Sequence, residues 1–206
     1  MRAIAIDANE HSGSGSLLDG MHRLRARVFA GRLSWQVKIE QGRERDEYDA
    51  LDLTILAETD RGAVAGCPRL LPTTGPTMLS RTFPQLLPGG RLRAKSTMVV
   101  SSRFCVDRRG EGRGGRFLHD ATLTIFERMI EWSMSNGLGE IATAANLRVK
   151  GILQRAGWPM RRLGSVEHIG DTMSVAGVLP ADQASFDRVH PPGYRSDLRR
   201  LQCTAA

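Results

Sequence analysis

The stretch MVVSSRFCV, residues Met98–Val106, is the clearest strand signal in the chain. Regular alternation predicts Val100, Ser102, Phe104 and Val106 on one face, and Val99, Ser101, Arg103 and Cys105 on the other. Arg103 therefore interrupts a face of small and apolar side chains. A buried arginine is costly unless it is paired, so we expect Arg103 to meet a carboxylate or a phosphate-bearing ligand.

Helices and strands alternate in the sequence that follows this strand. A helix is predicted over Phe117–Asn136, because apolar residues recur there at helical spacing and Gly137 is a typical helix end. The further predicted elements are a strand at Glu140–Ala145, a helix at Leu147–Ala156 with Asn146 as its N-cap, and a strand at Thr172–Leu179.

Two apolar runs upstream of Met98 predict a β-hairpin. They are Leu53–Glu58 and Ala63–Leu71, and a turn signal separates them. Pro68 in the second run predicts an edge position or a β-bulge, because proline cannot donate to a strand ladder. A short helix is predicted at Thr77–Leu87, before a Pro-Gly-Gly stop.

This order of elements predicts an α/β fold. The expected architecture is an α/β/α sandwich around a mixed, mostly antiparallel sheet, in one domain that spans residues 1–206. Residues 1–20 contain enough Gly and Ser to form a mobile arm before the first helix.

A Gly- and Arg-rich loop follows the central strand. Arg109–Gly114, RGEGRG, fits the R-x-x-G-x-G pattern of the pyrophosphate loop in N-acetyltransferase-like folds. Glycines let backbone N–H groups approach phosphate, and the next helix N-terminus adds positive potential. A solvated flexible loop of the same composition is the competing interpretation.

The segment Met21–Asp49 interleaves cations, aromatic rings and carboxylates. Its first half predicts an amphipathic helix that ends at Gly31, and Arg25 and Phe29 share one face of it. Its second half predicts an ordered loop, in which Asp46 and Asp49 supply an acidic wall. Such a mixture suits a ligand that carries both charge and an aromatic ring, although a solvated helix followed by a charged surface loop has the same composition.

The chain carries a net charge of +7, which favours an acidic partner. Nucleic acid, an anionic membrane and an acidic protein all qualify. Aromatic residues make up only 5% of the chain and it contains no recognised nucleic-acid motif, so nucleic acid is the least favoured.

The sequence also predicts a location and a redox state. No apolar run approaches the roughly 20 residues that span a bilayer, and the N-terminus lacks the apolar core of a signal peptide, so a cytoplasmic protein is predicted. Its three cysteines, Cys67, Cys105 and Cys203, are expected to be reduced thiols. Their spacing is not that of a metal site.

One set of residues resembles the acyl-homoserine-lactone synthases, the autoinducer synthases of bacterial quorum sensing. The resemblance runs from about Met21 to Tyr194 and is nearest to the rhizobial and agrobacterial branch associated with conjugal transfer. The matching residues are Arg25, Phe29, Trp35, Asp46, Asp49, Arg69 in GCPRLLPT, Phe83, and SSRFCVD at Ser101–Asp107.

The resemblance implies an N-acetyltransferase-like fold and a specific reaction. An acyl chain passes from acyl carrier protein to the amine of S-adenosylmethionine, and lactonisation then releases methylthioadenosine. No cofactor is implied, since S-adenosylmethionine is a substrate.

The matched positions also imply roles. Phe29 and Trp35 are expected to face the sulfonium or the adenine. Asp46 and Asp49 are expected to hold the substrate ammonium and to assist its deprotonation. Arg25 is expected to pair with the substrate carboxylate. Arg69 and Arg103 are expected to order the acidic cluster.

One position departs from the family pattern. The family carries a glutamate three residues before the Arg103 position, as a candidate general base, and Val100 stands there in this chain. On a regular strand the two positions face opposite sides, so a bulge is needed to bring them together. Three explanations of the valine stay open: Asp46 or another carboxylate suffices as base, the protein is a homologue that only binds, or the change is engineered or accidental.

Further candidates line the acyl path and a docking surface. Phe83 is either a core anchor or part of an acyl tunnel, and the hydroxyl of Thr143 suits the oxo group of a 3-oxoacyl chain. The predicted surface for the carrier protein consists of Arg148, Lys150, Arg155, Arg161 and Arg162. The alternatives to a synthase are an inactive homologue that binds S-adenosylmethionine or acyl carrier protein, and an acyl-coenzyme A-dependent N-acetyltransferase.

Overall fold

The structure is a computed structural model that describes residues 2–6, 15–51, 53–58, 62–107, 120–190 and 194. Its strands are β1 (Arg2–Ile6), β2 (Ile39–Glu40), β3 (Arg43–Glu44), β4 (Leu53–Glu58), β5 (Val64–Pro72), β6 (Met98–Val106), β7 (Glu140–Asn146), β8 (Arg161–Arg162), β9 (Glu167–Ile169) and β10 (Thr172–Pro180). Its helices are α1 (Gly15–Ala26), α2 (Met78–Arg81), α3 (Asp120–Ser135), α4 (Leu147–Arg155) and α5 (Gln183–Val189). A π-helical turn at Arg27–Arg32 continues α1, and short 3-10 turns lie at Pro84–Leu86 and Pro88–Gly90.

A mixed sheet forms the centre of the fold. Its strands lie in the order β1-β4-β5-β6-β7-β10-β8, and β9 pairs with β10. The β6–β7 pair is parallel and the other described pairs are antiparallel. The predicted mixed, mostly antiparallel sheet is thus confirmed.

Helices cover both faces of this sheet. On one face, α3 and α4 contribute Ile125 and Leu153 to an apolar core that also holds Ile141 of β7. On the other face, α1 packs Leu24 into a second cluster, which contains Cys67 of β5. The predicted three-layer sandwich is therefore observed. Among the described helices, none is long and apolar enough to cross a membrane.

A β-bulge interrupts the β5–β6 pair. Cys67 faces Cys105 and Arg69 faces Ser102, so β6 has one more residue than β5 between these pairs. Arg103 occupies the bulge with a φ of 53°, and the bulge lies opposite Pro68, which has no N–H to donate. The predicted bulge is confirmed, whereas an edge position for Pro68 is wrong, because β5 lies between β4 and β6.

The bulge also corrects the predicted alternation of β6. Regular alternation assigned Phe104 and Val106 to the face of Val100. In the structure Phe104 and Val106 pack with Val99 in the core against α3, because the extra residue reverses the facing of every side chain after it. Cys105 and Val100 lie on the opposite face.

Several predicted boundaries change. Arg2–Ile6 is a strand paired with β4, and residues 15–20 belong to α1, so the mobile arm over 1–20 is wrong for these residues. The helix predicted at Thr77–Leu87 stops at Arg81, because Pro84 cannot continue its hydrogen-bond ladder and starts a 3-10 turn instead.

Other predictions lie partly outside the described residues. These are residues 7–14, the hairpin turn at 59–61, the Arg109–Gly114 loop, the helix start at Phe117, and Cys203. Cys67 and Cys105 are free thiols, as predicted, and their sulfur atoms lie 3.6 Å apart between the strands.

Candidate active site

An ionic cluster joins four parts of the chain on the α1 face of the sheet. Its cations are Arg25 from α1, Arg69 from β5 and Arg103 from the β6 bulge. Its anions are Glu44 at the end of β3 and the carboxylates of Asp46 and Asp49 in the loop that follows. Three guanidinium groups therefore meet three carboxylates.

Arg25 is enclosed by this cluster. Its Nε donates to Glu44 Oε2 at 2.5 Å, and its Nη1 and Nη2 donate to the two oxygens of Asp49 at 2.6 and 3.2 Å. Arg25 is only 1% exposed. Arg25 therefore offers almost no accessible surface for the predicted pairing with a substrate carboxylate, and its partners in this structure are Glu44 and Asp49.

Arg69 links both aspartates to the sheet. Its Nη1 pairs with Oδ1 of Asp46 and lies 3.0 Å from Oδ1 of Asp49, and its Nη2 donates to Asp46 Oδ2 at 3.0 Å. The Nε donates to Ser102 Oγ at 3.2 Å, and the guanidinium lies over the ring of Tyr48. These contacts agree with the predicted ordering role of Arg69.

Arg103 is the guanidinium of this cluster that reaches the surface. It is 10% exposed, against 1% for Arg25 and for Arg69. Its Nη2 lies 3.0 Å from Glu44 Oε1 and 3.0 Å from Asp46 Oδ2. Among the described residues, no atom makes an aligned hydrogen bond to Arg103 Nε or to Glu44 Oε1.

An aromatic wall borders the cluster. Phe29 and Trp35 stack with ring centroids 5.1 Å apart and an interplanar angle of 9°. The guanidinium of Arg103 lies 5.4 Å from the Phe29 ring centroid, while Trp35 is 38% exposed. Just after the π-helical turn, Trp35 N donates to Phe29 O at 2.8 Å, which holds the two residues close together.

The charges in the cluster stabilise one another. Burial opposes the charged form of Asp49, but the Arg25 and Arg69 guanidinium groups outweigh it and lower the pKa of this carboxyl. Burial likewise opposes the charge of Arg25, whose pKa is nevertheless raised by Asp49 and Glu44. Burial lowers the pKa of Arg103, although Glu44 and Asp46 act in the other direction.

Asp46 is the carboxylate that faces a cleft. It is 16% exposed and lines a pocket of about 380 Å³ together with Lys38, Glu40, Arg45 and Glu47. Backbone hydrogen bonds hold the loop in place, since Asp46 N donates to Asp49 Oδ2 and Tyr48 N donates to Asp46 Oδ1. A ligand that enters this pocket meets the Asp46 carboxylate among side chains of both charges.

Val100 lies outside the ionic cluster, in an apolar one. It is 1% exposed and packs with Leu79, Met98, Ala142 and other aliphatic residues. On its strand it is two residues from Ser102, which contacts Arg69. Phe83 borders the same apolar cluster and a smaller one that contains Tyr48.

Thr143 is separate from the ionic cluster. It faces Ser101 at the last paired position of β6 and β7, and its hydroxyl donates to Ser101 O at 3.1 Å. Alternation places it on the face of Ile141, against α3 and α4. The structure therefore brings together the predicted residues Arg25, Phe29, Trp35, Asp46, Asp49, Arg69 and Arg103, but not Thr143.

The predicted docking cations lie at both ends of α4. Arg148 and Lys150 are in its first turns, beside the end of β7, whereas Arg155 is at its last residue. The two cations of β8 are exposed, and Arg161 Nη2 pairs with Glu140 Oε1 at 3.3 Å at the start of β7. Arg148, Arg155, Arg161 and Arg162 are exposed and Lys150 is half-buried.

Glu44 is a site residue that the sequence analysis missed, and Ser102, which lies in the matched run SSRFCVD, was given no role there. Glu44 is completely buried and pairs with two guanidinium groups. It belongs to the charged run RERDEYD, in which nothing in the local pattern distinguishes it from the exposed Glu47. The sequence predicted three arginines in the site but only two aspartates. This shortage of negative charge could have indicated a further carboxylate.

The chain matches the family model described as autoinducer synthase over residues 9–189. It belongs to the autoinducer synthase family. It is 56% identical to the acyl-homoserine-lactone synthase of Rhizobium radiobacter over 198 residues, which are 95% of this chain and 93% of that protein. The predicted family and its rhizobial and agrobacterial branch are thereby confirmed, and the function class is that of the acyl-homoserine-lactone synthases, which are transferases.

Solved structures of synthases share this fold. LasI aligns with a TM-score of 0.79 and 31% identity, over 96% of this chain and 98% of that one. BjaI, described as a coenzyme A-dependent acyl-homoserine lactone synthase with SAM and isopentyl-CoA, aligns with a TM-score of 0.81 and 25% identity, over 92% and 87% of the two chains. The predicted N-acetyltransferase-like α/β fold is confirmed by these neighbours.

Proposed function

We propose that this protein transfers a 3-oxoacyl chain from acyl carrier protein to the amine of S-adenosylmethionine, followed by lactonisation and release of methylthioadenosine. The observation that carries the proposal is the ionic cluster beside the stacked Phe29 and Trp35. A sulfonium nucleoside needs an aromatic surface, an acidic wall for its amine and a cation for its carboxylate. Asp46 borders a pocket and pairs with Arg103, whose guanidinium lies over the ring of Phe29, so the three features adjoin one another.

Different residues of the site bind different groups of the substrate. The sulfonium stacks against Trp35, a cation–π contact worth about 0.5–2 kcal/mol. The substrate carboxylate meets Arg103, since this guanidinium reaches the surface and Arg25 does not. Asp46 holds the ammonium and takes its proton, directly or through water, because its carboxylate borders the pocket.

Val100 makes Asp46 more important to this mechanism. The ionic cluster matches three guanidinium groups with three carboxylates and holds no fourth carboxylate, so one of the three must serve as base. The side chain at position 100 is aliphatic and buried, and it cannot take a proton. Amine deprotonation therefore depends on Asp46, which shares its oxygens with Arg69 and Arg103.

The proposed acyl path runs between β6 and β7. The β6–β7 register ends at Ser101 and Thr143, while β6 continues to Val106 and β7 to Asn146. The two strands diverge there, and a thioester between them has the α1 face on one side and Thr143 on the other. The Thr143 hydroxyl now donates to a backbone carbonyl and is free to turn toward a 3-oxo group.

Acyl carrier protein is the proposed donor, because Arg148 and Lys150 lie beside the end of β7 where this path opens. These cations suit the acidic helices and the phosphopantetheine phosphate of such a carrier. Acyl-coenzyme A is the second candidate, and the description of BjaI as coenzyme A-dependent favours testing it.

The decisive experiment is turnover with S-adenosylmethionine and matched acyl thioesters of carrier protein and coenzyme A, with the lactone measured by mass spectrometry. We expect product from the natural chain with the 3-oxoacyl carrier thioester. Val100→Glu should raise turnover by about 10²–10⁴-fold, as general-base catalysis typically contributes, and Val100→Gln, which adds size and polarity without a charge, should not.

Asp46→Asn tests the base in the same assay. We expect it to lower turnover by about 10²-fold or more, whereas Asp187→Asn, the same change at an exposed position on α5, should leave it unchanged. Full turnover by Asp46→Asn removes Asp46 from the mechanism. Absence of lactone from the natural chain and from Val100→Glu, with every donor, refutes the proposed function.

A further inference from the structure

A methionine lies across the sheet from the proposed acyl path. Thr143 of β7 faces Gly177 of β10 in register, and both belong to the α3 and α4 face of the sheet. A Cβ on Gly177 would lie 2.4 Å from Met160 Cγ, 2.7 Å from Met160 Sδ and 2.8 Å from Arg161 O. The Met160 side chain therefore rests directly on the backbone of β10, one strand beyond Thr143.

Neighbouring residues hold the backbone of Met160 in place, whereas its side chain is of a flexible type. Trp158, two residues earlier, is completely buried and its Nε1 donates to Pro180 O at 2.7 Å. Arg161 and Arg162 follow as strand β8, paired with Val178 and Gly177. Between these anchors, Met160 has an unbranched side chain with three rotatable bonds, which can refold into a different space at low cost.

We propose that Met160 is the end wall of the acyl site and sets the preferred acyl-chain length. This inference rests on the proposed function and names a specificity residue for it. A chain that passes between β6 and β7 beside Thr143 next reaches the surface of β10, and Gly177 leaves that surface open at the point that Met160 fills. Chains that fit without moving Met160 bind well, and longer chains must displace it.

The test is a competition among acyl donors. The protein receives S-adenosylmethionine and an equimolar series of donors that rises in two-carbon steps from butanoyl to dodecanoyl, and mass spectrometry gives the ratio of lactones. Met160→Ala should shift the ratio toward longer chains by about tenfold, the discrimination that one or two methylenes typically provide. Gly177→Ala should shift it toward shorter chains, because the new methyl pushes Met160 into the path.

Two further variants separate specificity from general damage. Met160→Ala combined with Gly177→Ala should move the profile back from that of Gly177→Ala, since the added methyl occupies space that the methionine has left. Both Gly177→Ala proteins place the methyl 2.8 Å from Arg161 O, so the comparison between them isolates the effect of Met160. Met173→Ala removes an exposed methionine from β10, the strand of Gly177, and should leave the ratio of lactones unchanged. An unchanged length profile in active Met160→Ala and Gly177→Ala proteins overturns the inference.

A binding assay keeps this test apart from that of the proposed function. Acyl-pantetheine thioethers of graded length cannot react, and a ligand that binds the native state raises the melting temperature. A length optimum that moves with residue 160 supports the inference even when no lactone is formed. The same optimum in the natural chain and in Met160→Ala, or no stabilisation by any thioether, overturns it.

Discussion

At the scale of single residues, the stability of the ionic cluster depends on Glu44. Its carboxylate is completely buried between Arg25 and Arg103. Replacing it by Gln leaves these guanidinium groups short of one negative charge, and an uncompensated buried charge typically costs about 3–5 kcal/mol. We therefore expect Glu44→Gln to lower the free energy of unfolding by about this amount in a urea titration.

The control comes from the same hairpin. Glu40 faces Arg43 across β2 and β3, pairs with Lys38 and has a side chain that is 63% exposed. Glu40→Gln should therefore change stability by less than about 1 kcal/mol. Equal losses from the two variants would contradict a special role for Glu44.

The sequence identified most of this site, because charged and aromatic residues recur at family spacing. Arg25, Asp46, Asp49, Arg69 and Arg103 do meet in space. Glu44 escaped prediction because burial of one carboxylate in a charged run depends on packing against α1. The burial of Arg25 could not be predicted either, since exposure is a tertiary property.

At the scale of elements, α4 begins where the proposed acyl path opens, and its start depends on one cap. Asn146 Oδ1 accepts from Val149 N at 2.9 Å, which confirms the predicted N-cap. We expect Asn146→Ala to lower the free energy of unfolding by about 1 kcal/mol, because the Val149 N–H then loses its protein acceptor. Asn146→Asp keeps an acceptor oxygen and should lower the free energy of unfolding by only a few tenths of that amount. An equal loss of stability in both variants would show that the N-cap hydrogen bond is not the cause.

Periodicity predicted the elements well where the backbone is regular and failed where it is not. The extents of β6, α4 and β10 differ from prediction by a residue or so. The faces of β6 were wrong after Ser102, because the bulge at Arg103 forms only when Pro68 lies opposite it on another strand. No window of local sequence contains both partners of that irregularity.

At the scale of the whole molecule, α3 and α5 are joined through a buried acid. Glu127 is completely buried and pairs with Nδ1 of His190, the residue that follows α5. One turn on, Glu131 accepts hydrogen bonds from Arg128 and Tyr194. Burial raises the pKa of Glu127 to about 7, helped by Glu131 and opposed by His190.

A raised carboxyl pKa makes folding favour the protonated acid. The unfolded carboxyl titrates near 4.5, so the stabilisation by protonated Glu127 is complete below that pH and is lost as the pH rises through about 7. We expect the free energy of unfolding of the natural chain, relative to that of Glu127→Gln, to fall by about 2 kcal/mol between about pH 5 and pH 8. Urea titrations at several pH values measure this difference.

Asp187→Asn, an exposed change on α5, should leave the dependence on pH intact. A difference between the natural chain and Glu127→Gln that stays constant with pH would mean that Glu127 is already ionised in the folded protein.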